Sequence, residues 1–370
     1  MSKGIYMGVG GVARKVKKLY AGVSGIPRKV KKVYVGVNGV PKLTYSEAIG
    51  VVNASIDGLS EPKSQIPRGT AGNYAVFAGG VRDSTYWLRA SVDAYGPNLV
   101  HLVPASLNVA RQNIVSGDSF NSHMFVTDGM ETSSSWDYRR QVEVYSPSLT
   151  KFQPSNLTDL TNNGNIRANS TTTHAFFCEP KYGSIQPYNT SWVKQSTLYT
   201  SMTDKYVRCT GVSSYGLYAF NEAVHAISAS LVRTVITALS SNHLNGSAVR
   251  NGSYGMFIAG SSLQLDKVIE CYDSNLVKTQ TTSISFLPAS AMSCCTEDFA
   301  MLKKNDFTYT AEGRLTETID NNLTVKLIDN LPVERSMMSL AQAGDKIIVA
   351  GGMYTQDYNN SLTTVEAYEF

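Results

Sequence analysis

Side chains able to do covalent or metal chemistry are few and scattered in this 370-residue chain. Its five histidines are His101, His123, His174, His225 and His243, and none belongs to a His-x-His or H-E-x-x-H arrangement. No pair therefore has the spacing that brings two imidazoles to one metal ion. His123 and His174 open similar apolar runs, which suits a structural role. The five cysteines, Cys178, Cys209, Cys271, Cys294 and Cys295, form no C-x-x-C pair. Their odd number reads as buried thiols in a reducing compartment, not as a disulfide framework. No G-x-S-x-G or P-loop sequence is present, and Gly8-Val9-Gly10-Gly11 reads as a turn and not a phosphate cradle. The sequence thus nominates no catalytic residue, no metal and no cofactor.

Aromatic and basic side chains remain, and their value depends on the elements that carry them. Apolar residues make up 42% of the chain and charged residues only 17%, below the usual quarter or so, with Ser, Thr and Asn in their place. That is the composition of strands and turns. The net charge of +4 hides two halves. Residues 1–45 hold ten Lys or Arg and no acid, while residues 46–370 hold 23 basic against 29 acidic residues, a balance of −6. No signal-peptide pattern and no run of about 18 apolar residues occurs, so no membrane-spanning helix is expected.

Residues 5–46 repeat every fourteen: IYMGVGGVARKVKK, LYAGVSGIPRKVKK and VYVGVNGVPKLTYS. Tyr6, Tyr20 and Tyr34 fall in register, and Gly-Gly, Ser-Gly and Asn-Gly pairs sit between apolar residues. Such pairs suit two-residue hairpin turns, and the Val, Ile and Tyr around them favour strands. One small ribbon is marginal in water, so the repeat is expected to order against copies of itself or another protein. This makes 1–45 an anchoring segment, with Tyr6, Arg14, Lys15, Tyr20, Arg28, Lys29 and Tyr34 as candidate anchoring residues. The pattern resembles short N-terminal repeats in structural proteins of tailed phages and prophages. That resemblance implies a virion protein, made in the host cytoplasm, whose partners are other virion proteins and whose repeat can support homo-oligomers. Nucleic acid is the weaker partner for these charges, because no recognition helix or stacking platform accompanies them.

From about residue 66 a looser repeat appears, within a propeller domain expected over residues 46–370. An apolar run ending in small residues recurs seven times, as NYAVFAGG at 73–80, SHMFVTDG at 122–129, THAFFCEP at 173–180, SYGLYAFN at 214–221, SYGMFIAG at 253–260, EDFAMLKK at 297–304 and DKIIVAGG at 345–352. A second run with alternating apolar residues and a Tyr follows several of them, at Tyr95, Tyr145, Tyr272 and Tyr368. Seven copies at this period predict an all-β, seven-bladed propeller with four-stranded blades. The glycine doublets and following tyrosines resemble the kelch repeat, although that family's outer-strand Trp is missing here. Residues 48–59 have no blade of their own and are expected to close the last blade, whose copy stops at Phe370.

Propeller loops carry function on a rigid body. The segments after the Gly-Gly strand read as long in blades one, two, three and seven and short in blades four and five. The long ones hold Tyr86, Trp87, Trp136, Tyr138, Tyr182, Tyr354 and Tyr358. Gathered on one face, these rings would stack on sugars or anchor a protein. The resulting expectation is a non-enzymatic virion protein that binds a host-surface glycan or receptor, or decorates the particle. A carbohydrate-active propeller enzyme and an intracellular kelch scaffold are the alternatives.

Overall fold

The computed structural model describes residues 6–9, 12–15, 20–23, 26–29, 32–37, 40–46, 50–52, 56–82, 88–111, 117–127, 140–158, 166–179, 183–200, 207–240, 247–258, 267–279, 282–285, 292–296, 298–303, 316–328, 335–354 and 357–369. For residues 6–51, 117, 118, 282, 292, 354 and 357–360 the backbone alone is described. All regular structure among the described residues is β. The chain divides into two units, Met1–Gly50 with Tyr368–Phe370, and Val51–Ala367.

In the first unit each fourteen-residue repeat is one antiparallel ribbon. Tyr6–Val9 pairs with Val12–Lys15, and Tyr20–Val23 with Ile26–Lys29, both with the Tyr opposite the last Lys. The third, Lys32–Val37 with Val40–Ser46, is longer and carries a bulge at Val33/Tyr34.

The larger unit is a seven-bladed propeller. Blades one to six are four-stranded antiparallel sheets in sequence order. Their inner strands are Arg68–Ala71, Gly117–Phe120, Arg167–Ser170, Arg208–Val212, Ser247–Arg250 and Met292–Cys295. Blade seven begins with inner strand Ser339–Ala343, then Lys346–Ala350 and Val365–Glu369, and its fourth position is taken by Gly50–Val51. Further along, Val52 N–H donates to Ala367 O at 2.7 Å and Leu59 N–H to Thr363 O at 2.8 Å. The seven inner strands neighbour one another in cyclic order, closing a ring around an axial channel.

Burial explains the sequence patterns. The second strands, such as Tyr74–Ala78 and His123–Thr127, are sandwiched between neighbouring blades and read as continuous apolar runs. In the third strands one position is repeatedly polar and buried: Asp93, Glu143, Gln186, His225, Glu270 and Glu317. Its job in five blades is to hold the chain leaving the previous blade. Asp93 accepts from Ser60 N–H at 2.8 Å, Glu143 from Asn108 N–H at 2.8 Å and Gln186 from Thr158 N–H at 2.8 Å. Glu270 accepts from Ser240 N–H at 2.9 Å, and Glu317 from Ser285 N–H at 3.1 Å. Two residues further on, the tyrosines make a second stitch to the same neighbour. Tyr95, Tyr145, Tyr188 and Tyr272 donate their hydroxyls to the carbonyls of Asp57, Ala105, Ser155 and Thr237 at 2.6–3.1 Å.

The turns between third and outer strands are equally regular. Leu99, Leu149, Trp192, Leu231, Leu276 and Leu323 all have φ between 58° and 64°, a region that costs an L-residue about 1–2 kcal/mol. Packing offsets that cost, since Leu149, for example, lies against the core of Val126 and Tyr145. Side-chain oxygens fix three of these turns: Asn189, Asp273 and Asp320 each accept two backbone N–H groups at 2.9–3.0 Å.

Candidate functional site

The loops that sequence reasoning favoured leave the end of the propeller where the inner strands begin. Tyr86, Trp87, Trp136, Tyr138 and Tyr182 lie outside the described residues. Tyr354 and Tyr358 are placed in backbone only, on strands Met353–Tyr354 and Asp357–Ser361, which pair with each other and extend blade seven's loop into a small sheet with Arg335–Ser336. Among the anchoring candidates, Tyr6, Arg14, Lys15, Tyr20, Arg28, Lys29 and Tyr34 all fall on ribbon strands.

Loop lengths need correction in two blades. In blade three, Ser184–Asn189 is the third strand, so the connection from Glu179 is short. Pro187 made that stretch read as loop, yet its place in the ladder uses only its carbonyl, which accepts from Gln195 N–H at 2.8 Å. In blade five, residues 259–267 separate the second and third strands, so that loop is long.

Three basic residues, where the chain enters blades one, two and seven, repeat one motif. Lys63 Nζ reaches Asp93 at 2.6 Å and Ser91 O at 3.0 Å. Arg111 Nη2 reaches Glu143 at 2.6 Å, with Nη1 on Gln141 O at 3.3 Å. Arg335 Nη2 reaches Glu366 at 2.6 Å, with Nη1 on Thr364 O at 2.8 Å. Each cation thus takes the carboxylate of its own blade and the carbonyl two residues before it. The glycine doublets make room for the entering backbone. Gly80 N–H donates to Arg111 O at 2.8 Å and Gly352 N–H to Lys63 O at 2.9 Å. A Cβ on Gly79 would lie 2.5 Å from Arg111 O, and one on Gly351 only 2.3 Å from Lys63 O. Burial alone would lift the Asp93 carboxyl, but the Lys63 charge, with bonds from Lys63, Ser60 and His101, holds it below the usual range. Burial lifts the Glu366 carboxyl despite Arg335. These are structural ion pairs.

The axial strands offer different chemistry. An inner strand has one edge unpaired, and short side chains of its neighbours satisfy that edge. Thr70 donates to Gln342 O at 3.1 Å, Ser170 to Ser119 O at 2.6 Å and Asn169 to Thr210 O at 2.5 Å. Two arginines reach further. Arg68 of blade one donates to Ser293 O of blade six at 3.2 Å, passing over blade seven. Arg250 of blade five donates to Ser170 O of blade three at 3.2 Å, across Gly211 of blade four. A Cβ on Gly211 would stand 3.3 Å from the Arg250 guanidinium. A side chain that bonds two blades away runs on the axial side of the blade between. By sequence the seven inner strands carry Arg68, Arg167, Arg208 and Arg250 against the single acid Asp118.

At the loop end of the channel, Gln65 and Met337 precede the inner strands of blades one and seven. Both have positive φ, 48° and 51°. Gln65 N–H donates to Met337 O at 3.0 Å, and Gln65 Nε2 lies 3.4 Å from the Met337 sulfur. Both residues are part-exposed, as is Arg68. Sequence reading missed this mouth, although a basic residue recurs where the inner segment starts in blades one, two, three, four and seven.

The described histidines and cysteines serve packing. His101 stacks on Tyr95 and pairs with Asp93 at 2.7 Å. His225 sits edge-on to Phe220, and burial followed by the nearby Arg233 charge holds its imidazole below the ordinary value. His123 packs against Trp192, which is buried among Phe120, Phe125 and Phe152. Burial raises the Cys271 thiol to about 12 and lifts Cys178 as well, so neither is a ready nucleophile. No group of three metal-ligating side chains occurs among the described residues.

Three solved structures with the same architecture are lyases. A streptogramin B lyase matches with a TM-score of 0.56 and 10% identity, over 85% of this chain and 96% of that one. A virginiamycin B lyase from Staphylococcus aureus matches with a TM-score of 0.56 and 9% identity, over 85% and 98%. A catalytically inactive histidine-to-alanine variant of the Staphylococcus aureus enzyme, solved with quinupristin, gives 0.58 and 9%, over 87% and 99%. At these identities the likeness defines the fold, a seven-bladed β-propeller, and nothing finer. No family model matches the chain, and no curated protein is significantly similar to it.

Proposed function

We propose that this chain is a non-enzymatic virion structural protein, docked on a phage or prophage particle through residues 1–45 and presenting its propeller to a host-surface saccharide or receptor. One observation carries the reading. Residues 1–45 hold ten cations and no acid, and each of the three ribbons in them is too small to be stable alone. A docking partner with a complementary acidic surface supplies what they lack. The propeller then serves as a rigid carrier for loops at one end.

The lyase neighbours invite an enzymatic reading. One of them is described as inactive when a histidine becomes alanine. Here the four described histidines, His101, His123, His174 and His225, lie on second, third and outer strands, and none on an inner strand. His101, His123 and His225 make ring-packing contacts in this body, which supports the binding reading.

The test is mass spectrometry and gold-labelled antibody on purified particles from the source culture. The protein is expected in stoichiometric amount on the particle, and deletion of residues 1–45 is expected to leave it in the soluble lysate. Absence from particles, or incorporation without the repeat, refutes the reading.

A further inference from the structure

We propose that the loop-end mouth of the axial channel binds an anionic group, the carboxylate or phosphate of an acidic saccharide. Arg68 is its cation and the Gln65 amide a second donor. The choice of a saccharide rests on the host-surface reading above; the anion site itself rests on geometry.

Two observations converge on the mouth. Arg68 crosses in front of blade seven to reach Ser293 O, so its guanidinium lies within the channel. That guanidinium carries five N–H donors in a planar fork suited to an oxyanion. Gln65 and Met337 hold left-handed backbone conformations against each other, and non-glycine residues keep such strain chiefly where surrounding structure enforces it. The Gln65 amide is meanwhile directed at a thioether, a weak acceptor. Exchanging sulfur for a charged oxygen gives that donor a stronger bond and leaves the backbone unchanged.

The experiment titrates the full-length protein with sodium glucuronate, inorganic phosphate and glucose by calorimetry and thermal shift. Glucuronate and phosphate are expected to bind and raise the melting temperature, and glucose is not. Raising salt from about 20 to about 200 mM is expected to weaken binding. Arg68→Gln is expected to lose about ten- to a hundredfold in affinity, as removal of a charge-assisted bond implies. Gln65→Gly removes the amide and relieves the positive φ, so it is expected to fold at least as well as wild type while binding more weakly. Lys326→Gln, at an exposed outer-strand position, controls for net charge and is expected to bind normally. Equal binding of glucose and glucuronate, or wild-type affinity in both Arg68→Gln and Gln65→Gly, overturns the site. Cell attachment that survives excess glucuronate and phosphate overturns the acidic-saccharide assignment and leaves host-surface binding standing. Glucuronate binding by a protein that attaches to no cell keeps the anion site and overturns the host-surface reading.

Discussion

Replacing Arg111 by Met tests whether the buried cation motif holds the blades together. Arg111 is 2% exposed and Glu143 is fully buried, with the guanidinium 2.6 Å from the carboxylate. The substitution keeps most of the side-chain volume and removes the charge. Glu143 then retains the Asn108 N–H at 2.8 Å and Lys151 Nζ at 3.4 Å, the latter part-exposed. Breaking a buried pair from one side costs about 3–5 kcal/mol, because the remaining charge stays desolvated. Unfolding entropy near 2.1 cal/mol/K per residue over roughly 320 residues makes each kcal/mol worth about 1.5 °C. The melting temperature should therefore fall by roughly 5–7 °C. Adding Glu143→Gln neutralises the stranded charge and still offers an oxygen to Asn108 N–H. The double variant should recover more than half of the loss. Calorimetry and urea unfolding read both numbers. A single variant within about 1 °C of wild type, or a double variant no better than the single, refutes the account.

Four further outcomes follow from the same geometry. Tyr145→Phe removes the bond to Ala105 O and should cost about 1 kcal/mol in urea unfolding with no change in native circular dichroism. Asp273→Ala strips two N–H groups of their acceptor in the blade-five turn and should cost about 1 kcal/mol by the same assay. Burial holds His174 and His225 below their ordinary pKa, so the unfolded chain takes up protons first as pH falls through 6.5. Their contribution is present above that pH and lost below it; urea midpoints at pH 7 and 5 should differ less in His225→Gln than in wild type. Native protein should leave Cys178 and Cys271 unmodified by iodoacetamide at pH 8 while unfolded protein exposes both, as peptide mass spectrometry will record.

The propeller was legible because its second strands are buried on both faces. Runs such as YAVFA and KIIVA have no polar alternation to blur them, and their recurrence counts the blades. Tyr188 was harder to see because Pro187 precedes it, and Ile227 stands where a tyrosine would mark the third strand of blade four. The glycine doublets were visible as residues, but their reason, carbonyls of Arg111 and Lys63 pressed against them, is a contact between blades. The buried acids looked like surface charge in sequence, since alternation puts polar residues outward by default. The axial mouth was invisible for a similar reason. Gln65, Arg68, Ser293 and Met337 meet only when the ring closes, and no local pattern joins positions so far apart.

The inter-blade stitches have a direction: in five blades the third strand takes hold of the chain arriving from the blade before it. Head-to-tail contacts of this kind build an open stack when the rotation fails to close, and an open stack needs special terminal units to shield its ends. Here the rotation closes after seven units, and Asp93 of blade one holds Ser60 of the segment entering from blade seven. Every unit is thus an interior unit. Loosening one seam leaves two new faces that no cap protects, so the strain of a weakened blade is shared around the whole circle, and the body should melt in one transition instead of fraying from an end.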